Sequence, residues 1–205
     1  MWQTPQLITH TGTHVVLRAA DVTNDGAALF AAGHRTSAHL YTWQYLPYGP
    51  FADVTAMDAY VRDFACKTDP LMHVVCDAVT QIPIGVITIM SIFPEFGRAE
   101  LGHIWYDADM QRTPRTTEAA FLLLTYLFDT LHYRRIEWKC DANNARSRAA
   151  AQRLGFRFEG VFQQHMIVKG RNRDTAWFAI ADHEWPAIRT RFEEYFAGNR
   201  RHLGR

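Results

Sequence analysis

The sequence is poor in cysteine and has no metal-binding motif. It has three cysteines, Cys66, Cys76 and Cys140, which lie far apart in the sequence and form no Cys-x-x-Cys motif. An odd count without such spacing argues against a disulfide framework and fits a reducing compartment. The ten histidines are scattered and form neither His-Glu-x-x-His nor a Cys/His cluster, so no structural metal is expected.

Long hydrophobic runs and a strong charge imbalance are also absent. No apolar run approaches the roughly 20 residues of a membrane span, and the first residues, MWQTPQLITHTG, do not resemble a signal peptide. A cytoplasmic protein without a membrane partner is therefore expected. The formal net charge of +1 argues against a general nucleic-acid binder. The basic residues 200–205 are interpreted as a solvated tail and not as a nucleic-acid-binding arm.

Length and composition favour one domain with a large core. Domains typically hold about 100–200 residues. The chain has 205 residues, of which 48% are hydrophobic and 21% are charged. We therefore predict a single domain over residues 1–205, in which residues 185–205 form a C-terminal helix and the basic tail.

Hydrophobic periodicity predicts an α+β protein. Helical patterns occur at 21–33, 53–67, 116–131, 147–154 and from about 184 onward. Strand patterns occur at 13–18, 71–79, 82–92, 99–106, 136–140, 156–168 and 174–181. Short turns within 71–106 favour antiparallel pairing, whereas the strand, helix, strand order around Ser147 is typical of a parallel crossover. The sheet is predicted to be mixed and mostly antiparallel.

Five segments resemble, in their order and spacing, the GNAT-type N-acetyltransferases, and most closely the RimJ/RimL-like branch that acetylates protein N-termini. They are AELGHIWY at 99–106, TEA at 117–119, CDANNARS at 140–147, RLGF at 153–156 and EG at 159–160. The resemblance covers residues 13–184. It implies the acyl-CoA N-acyltransferase fold, with a central pair of splayed parallel strands and flanking helices.

The resemblance implies that acetyl-CoA binds where these two strands, 101–106 and 136–140, splay apart. The backbone of Ile104, Trp105 and Tyr106 is expected to bond the pantetheine amides. The diphosphate is expected at the N-terminus of the helix predicted at 116–131, where free N–H groups favour phosphate. The expected diphosphate contacts are Gln111, Arg112, Thr113, Arg115, Thr116 and Thr117.

The diphosphate loop departs from the family pattern at two positions. Pro114 and Thr116 stand where the family has glycine, and Pro114 removes one amide donor. We expect Arg112 and Arg115 to compensate through charge-assisted hydrogen bonds.

The junction between residues 140 and 147 is rich in small polar side chains. Asn143 and Asn144 are suited to cap the following helix. The resemblance also places Asn143 against the cofactor arm and Ser147 beside the thioester sulfur, where its hydroxyl would protonate the leaving thiolate. A purely structural capping role is the alternative for these residues.

The acceptor amine must be neutral before it attacks the thioester. Neutralisation at pH 7 costs ~4.6 kcal/mol for a lysine amine but only ~1–1.4 kcal/mol for an α-amine. Glu100 is the candidate general base, and His165 is the weaker alternative. It also remains open that Glu100 is only a structural carboxylate and that a chain of water molecules takes the proton from the amine. Strand alternation predicts Glu100 and Tyr106 on one face and His103 on the other.

The acceptor site is less well defined by the sequence. The aromatic segment 40–51 is predicted to be a loop whose Trp43 and Tyr45, together with His103, contact the acceptor, with a small core beneath the loop as the alternative. Residues 171–173 are interpreted as a hairpin tip, with recognition of an acidic acceptor as the alternative.

The expected function is acetyl transfer from acetyl-CoA to a primary amine, with a protein N-terminus as the leading acceptor. A small-molecule acetyltransferase and a CoA-binding module without turnover are the alternatives. Apolar surface on the terminal helix and the aromatic segment would allow a homodimer.

Overall fold

The computed structural model is organised by an eight-stranded sheet with the strand order β1-β2-β3-β4-β5-β6-β8-β7. It describes residues 1–199 and Leu203, so the rest of the predicted basic tail lies outside the described residues. The strands are β1 His10–Thr11, β2 Val15–Ala19, β3 Leu71–Asp77, β4 Pro83–Phe93, β5 Arg98–Tyr106, β6 Arg135–Asp141, β7 Arg157–Val168 and β8 Arg171–Ala181.

Helices flank both faces of this sheet. They are α1 Asp25–His34, α2 Ser37–Leu40, α3 Val54–Ala65, α4 Pro114–Thr125, α5 Ala145–Arg153 and α6 Trp185–Phe196. The predicted helices and strands are confirmed to within a few residues at each end. Segment 40–51 is not wholly a loop, because α2 continues into a 3-10 turn at Tyr41–Trp43. A π-helical turn, Tyr126–Thr130, extends α4.

Local chemistry sets the boundaries of the two helices next to the predicted site. Pro114 is the first residue of α4, where its fixed φ suits a helix and its missing N–H is not needed. The side chain of Asn144 caps α5 by accepting a hydrogen bond from the Ser147 N–H at 3.0 Å. Gly155 ends α5 with φ +100°, which favours glycine.

Two hydrophobic cores lie on opposite faces of the sheet. The larger packs α4 and α6 against the sheet through residues such as Leu101, Leu123, Phe178 and Phe192. The smaller packs α1, α3 and the aromatic segment against the other face, around Trp43 and Trp105.

A β-bulge in β5 changes which side chains share a face. Val86 pairs with Trp105 but Thr88 pairs with Gly102, so β5 carries one extra residue, and His103 there has φ +47°. The bulge reverses the alternation beyond Gly102. The predicted grouping of Glu100 with Tyr106 is therefore wrong: Tyr106 packs on the larger core, whereas His103 packs on the opposite side of the sheet against Tyr48.

The exposed apolar surface lies only in part where the sequence placed it. Leu40 and Tyr41 of the aromatic segment are exposed, whereas Trp43 of that segment and Phe192 of α6 are fully buried. A further exposed apolar patch follows the edge strand β7, at Phe158, Val161, Phe162, Met166 and Ile167. Among residues 1–199 and Leu203, we find no helix with the length and apolar character of a membrane span.

Candidate active site

A cleft opens between β5 and β6 because their parallel pairing stops after three residues. The paired segments are Arg98–Glu100 and Arg135–Glu137. Beyond them β5 stays paired with β4 as far as Tyr106, and β6 stays paired with β8 as far as Asp141. The facing backbone groups of 101–106 and 138–141 are thus available to a ligand with amides of its own.

The N-terminus of α4 lies at the end of this cleft and carries free N–H groups. Within the described chain, the backbone N–H groups of Arg112, Thr113, Arg115 and Thr116 have no hydrogen-bond acceptor. Arg112 is exposed and has φ +61°, so the loop turns there and not at a glycine. Pro114, as the first helical residue, removes one donor and leaves the other four. The geometry therefore fits a diphosphate.

Three of the residues expected around the diphosphate are engaged elsewhere. Thr117 is fully buried, and its hydroxyl accepts a hydrogen bond from Arg153 at 2.9 Å, which argues against a direct ligand contact. The Nε of Arg115 donates to Asp77 at 2.5 Å. The Gln111 amide donates to the carbonyl oxygen of Tyr106 at 3.4 Å. Of the side chains in this group, Arg112 is the one left exposed and without a partner in the described chain.

Arg153 is a candidate site residue that the sequence did not reveal. Its guanidinium lies beside the first turn of α4 and donates to the Thr117 hydroxyl. It forms no ion pair with a carboxylate in the described part of the chain, and burial lowers the pKa of its guanidinium. A half-buried cation without a counterion, next to free N–H groups, is suited to an anionic ligand.

Ser147 is oriented by a tryptophan of β6. The Trp138 indole N–H donates to Ser147 Oγ at 2.9 Å, and the Cys140 thiol is a second hydrogen-bond partner of this hydroxyl. The neighbouring Asn143 has an exposed side chain, and its carbonyl oxygen accepts a hydrogen bond from the Tyr45 hydroxyl at 3.2 Å. Asn144, and not Asn143, caps α5.

Glu100 belongs to a buried ion cluster at the base of the cleft. The Nζ of Lys139 lies 2.9 Å from Oε2 of both Glu100 and Glu137, and the three side chains are only 5–14% exposed. The Ser91 hydroxyl also donates to Glu100, at 3.1 Å. Burial raises the pKa of Glu100, and Lys139 opposes this effect. The sequence indicated Glu100 but not its partner.

A cavity of about 460 Å³ lies beside the cleft, between the aromatic segment and the β7–β8 hairpin. Tyr45 and Asn143 line it. Trp43 also lines the cavity. Its side chain is nevertheless fully buried, and its indole N–H donates to the Gly33 carbonyl oxygen at 3.0 Å, so the alternative of a core beneath the segment holds for this residue.

The two histidines of the expected acceptor site do not line this cavity. His103 Nδ1 lies 3.1 Å from the Tyr48 hydroxyl, and burial lowers the pKa of His103 to about 4. His165 Nδ1 lies 3.0 Å from the hydroxyl oxygen of Thr175, on the edge strand. The structure therefore brings Tyr45 to the cavity but separates it from both histidines.

Another group of potential metal ligands, His39, Asp107 and Asp109, is already bridged by a cation. The Arg35 guanidinium pairs with Asp107 and with Asp109, and His39 Nε2 lies 3.1 Å from Asp107. An ion-pair network accounts for this cluster.

Residues 14–157 match the profile of the acetyltransferase (GNAT) domain. The chain belongs to the GNAT family of acetyltransferases. The predicted family and mixed α+β fold are thus confirmed, and the protein is an acyltransferase of a family that uses acetyl-CoA.

Solved structures of GNAT proteins agree with this assignment. A GCN5-related N-acetyltransferase from Brucella melitensis is 38% identical with a TM-score of 0.91, and the match covers 95% of this chain and 87% of that one. A probable GNAT acetyltransferase from Chromobacterium violaceum ATCC 12472 is also 38% identical, with a TM-score of 0.83 and coverage of 90% and 91%.

A curated relative points to the branch within the GNAT family. YdaF of Bacillus subtilis (strain 168), whose name assigns it provisionally to the ribosomal N-acetyltransferases, is 28% identical over 101 residues. The match covers 49% of this chain and 55% of YdaF, so the chain spans about half the length of that relative. This name agrees with the RimJ/RimL-like resemblance.

Proposed function

We propose that this GNAT protein transfers the acetyl group of acetyl-CoA to a primary amine bound beside the β5–β6 cleft. The observation that carries the proposal is the end of parallel pairing at Glu100 and Glu137, which leaves two strand edges facing each other. Pantetheine, with its two amides, complements such edges. Family membership supports the same reaction.

The diphosphate of acetyl-CoA is proposed to lie on the four free N–H groups between Arg112 and Thr116. Two cations complete this site: the exposed side chain of Arg112 and the half-buried guanidinium of Arg153. Backbone donors, the dipole of α4 and these arginines all favour a negative charge at this place.

In the proposed transfer, the amine nitrogen bonds to the acetyl carbonyl carbon while the bond from that carbon to sulfur breaks. The sulfur leaves with the electron pair, and Ser147 donates a proton to it. The amine loses one proton, either to water or to Glu100, whose raised pKa makes it the better acceptor. One proton is lost and one is gained, so the transfer balances.

A protein N-terminus is the acceptor that we favour, since YdaF carries a ribosomal N-acetyltransferase name. An α-amine suits the site because its deprotonation at pH 7 costs only ~1–1.4 kcal/mol. A small amine is the second candidate. The cavity of about 460 Å³ favours it, because pockets for small ligands commonly measure about 300–1,000 Å³.

Release of CoA thiol from acetyl-CoA tests the proposed function. The purified protein is incubated with acetyl-CoA and panels of peptides with free N-termini and of small primary amines, and acetylated products are identified by mass. Turnover dependent on an amine, with the acetyl group on that amine, supports the proposal. Absence of turnover with both panels, together with intact acetyl-CoA binding, would instead support a CoA-binding module.

Substitution Arg153→Gln is expected to weaken acetyl-CoA binding about 10-fold, because one charge-assisted hydrogen bond to the diphosphate is lost. Calorimetric titration measures this change. Binding of S-acetyl-pantetheine, which has no diphosphate, should remain within about twofold. Arg62→Gln, an equal change of charge at an exposed residue of α3, is the control. Equal weakening of both ligands would contradict the assignment of Arg153 to the diphosphate.

A further inference from the structure

We propose that the acceptor carries a carboxylate or phosphate near its reactive amine and that Arg173, assisted by Lys169 and Arg171, binds this anion. The proposal rests on the proposed function, since it names the substrate class of the same site. The shared chemistry is a primary amine with an anionic group. An acidic peptide N-terminus and a small amino acid are the two sources that the test distinguishes.

The cavity beside the cleft is basic. Among the described residues that line it, three are cationic, Lys169, Arg171 and Arg173, and one is acidic, Asp141. The carboxylate of Asp141 already accepts a hydrogen bond from the backbone N–H of Asn143, at 2.8 Å. The excess of positive charge in a concave site favours an anionic ligand.

The three cations have no carboxylate partner in the described part of the chain. Arg173 donates from Nε to the Thr175 hydroxyl at 3.2 Å, which leaves its two terminal nitrogens free for a bidentate contact. Lys169 donates to the carbonyl oxygens of Trp43 and Gly49, at 2.8 and 2.5 Å. These two hydrogen bonds connect the hairpin to the aromatic segment.

Both arginines lie on a hydrogen-bonded strand, directly after the hairpin turn. Val168 pairs with Arg171, so the hairpin loop is only Lys169 and Gly170. Both loop residues have positive φ, +48° and +72°, as in the tight two-residue turns that suit a twisted hairpin. Arg171 and Arg173 both belong to β8, where alternation places them on the same face. Residues 171–173 are thus the first residues of β8, directly after the turn of the hairpin.

Arg173 lies toward the open end of the cleft. Thr175, which accepts its hydrogen bond, pairs with Asp141 at the end of β6, and the charge of Arg173 also acts on the pKa of His103 in β5 and of Cys140 in β6. An anion bound by Arg173 would hold the rest of the acceptor near the open end of this cleft. The reactive amine and the anionic group of the acceptor would then be joined by a short spacer.

Matched acceptors test this inference. One pair of peptides begins Ser-Asp-Glu or Ser-Asn-Gln, and a second pair is a free α-amino acid and its carboxamide. We expect kcat/KM to be at least about 10-fold higher for the anionic member of one pair, as the loss of a charge-assisted contact implies. The pair that shows the preference identifies the source of the anion.

Variants assign the preference to a residue. Arg173→Gln should remove most of it while leaving acetyl-CoA affinity unchanged, and Arg62→Gln should change neither. Equal kcat/KM within both pairs, or an undiminished preference in Arg173→Gln, would overturn the inference.

A binding measurement keeps the inference testable if no acceptor turns over. The same four compounds are titrated calorimetrically into the CoA-loaded protein. We expect the anionic member of a pair to bind about 10-fold more tightly, with less difference in high salt. Equal binding within both pairs would overturn the anion site. Failure of the proposed function appears separately, as absent acetyl-CoA binding or absent turnover with intact anion binding.

Discussion

Substitution Ser147→Ala is expected to lower kcat about 100-fold and to leave the KM for acetyl-CoA within about threefold. The reason is that the Trp138 indole fills an acceptor position of Ser147 Oγ, so the hydroxyl can turn its proton from the Cys140 thiol to the departing thiolate. Loss of this proton donor affects the reaction and not the binding of the ground state. Steady-state kinetics with the best amine acceptor measures both parameters.

The control for Ser147→Ala must account for the indole that loses its acceptor. An unsatisfied buried N–H costs about 1–3 kcal/mol of stability. Trp138→Phe removes that N–H but keeps the serine hydroxyl, and Ser147→Thr keeps a hydroxyl at the helix position. We expect Ser147→Thr to recover much of the lost kcat and Trp138→Phe to lose less than about 10-fold. A wild-type kcat in Ser147→Ala would show that water protonates the thiolate.

Substitution Lys139→Met is expected to reduce the free energy of unfolding by about 3–5 kcal/mol at pH 8, because it leaves buried carboxylates without their cation. Arg98 and Arg135 still pair with Glu137, at 3.3 and 2.8 Å. Glu100 keeps only the Ser91 hydroxyl as a partner in the described chain. The cost therefore falls mainly on Glu100, and urea unfolding of the variant and the wild type measures it.

The pH dependence of this loss has a definite sign. Burial already raises the pKa of Glu100 above 4.5, so its contribution to stability is complete below that pH and is lost as the pH rises through the folded-state pKa. Without Lys139 that pKa rises further. The difference between variant and wild type should shrink as the pH falls toward about 5.

The double variant Glu100→Gln/Lys139→Met is the matched test of this pair. It should regain most of the lost stability at pH 8, because no unpaired charge remains on Glu100. A loss that is independent of pH, and that persists in the double variant, would show that Lys139 acts through packing on Trp177, 4.0 Å below its Nζ, and not through its charge.

The fold could be predicted from the sequence because its signals are local. Hydrophobic periodicity located the helices and strands, and the order of segments such as AELGHIWY and RLGF pointed to the family and hence to the parallel pair. The bulge in β5 could not be predicted, because strand alternation assumes one residue per register step. The bulge places His103 at φ +47°, and no sequence pattern around this histidine indicates a positive φ.

The candidate site was predictable in its backbone and less so in its side chains. The cleft and the α4 N-terminus follow from the fold. The roles of Arg153, Trp138 and Lys139 could not be predicted, because each depends on a partner that no sequence motif identifies. Arg153 and Thr117, for example, lie 36 residues apart. Thr117 and Trp43 were assigned to ligands, although both are fully buried. Exposure depends on packing that no local pattern encodes.

Hydrogen exchange with and without acetyl-CoA is the measurement that tests the proposed binding mode most directly. If the pantetheine completes the cleft and the diphosphate lies on the α4 N-terminus, exchange should slow at residues 101–106 and 112–116 and change little along the edge strand β7. Saturating acetyl-CoA that protects neither of these two segments would contradict both the cleft and the reaction assigned to it.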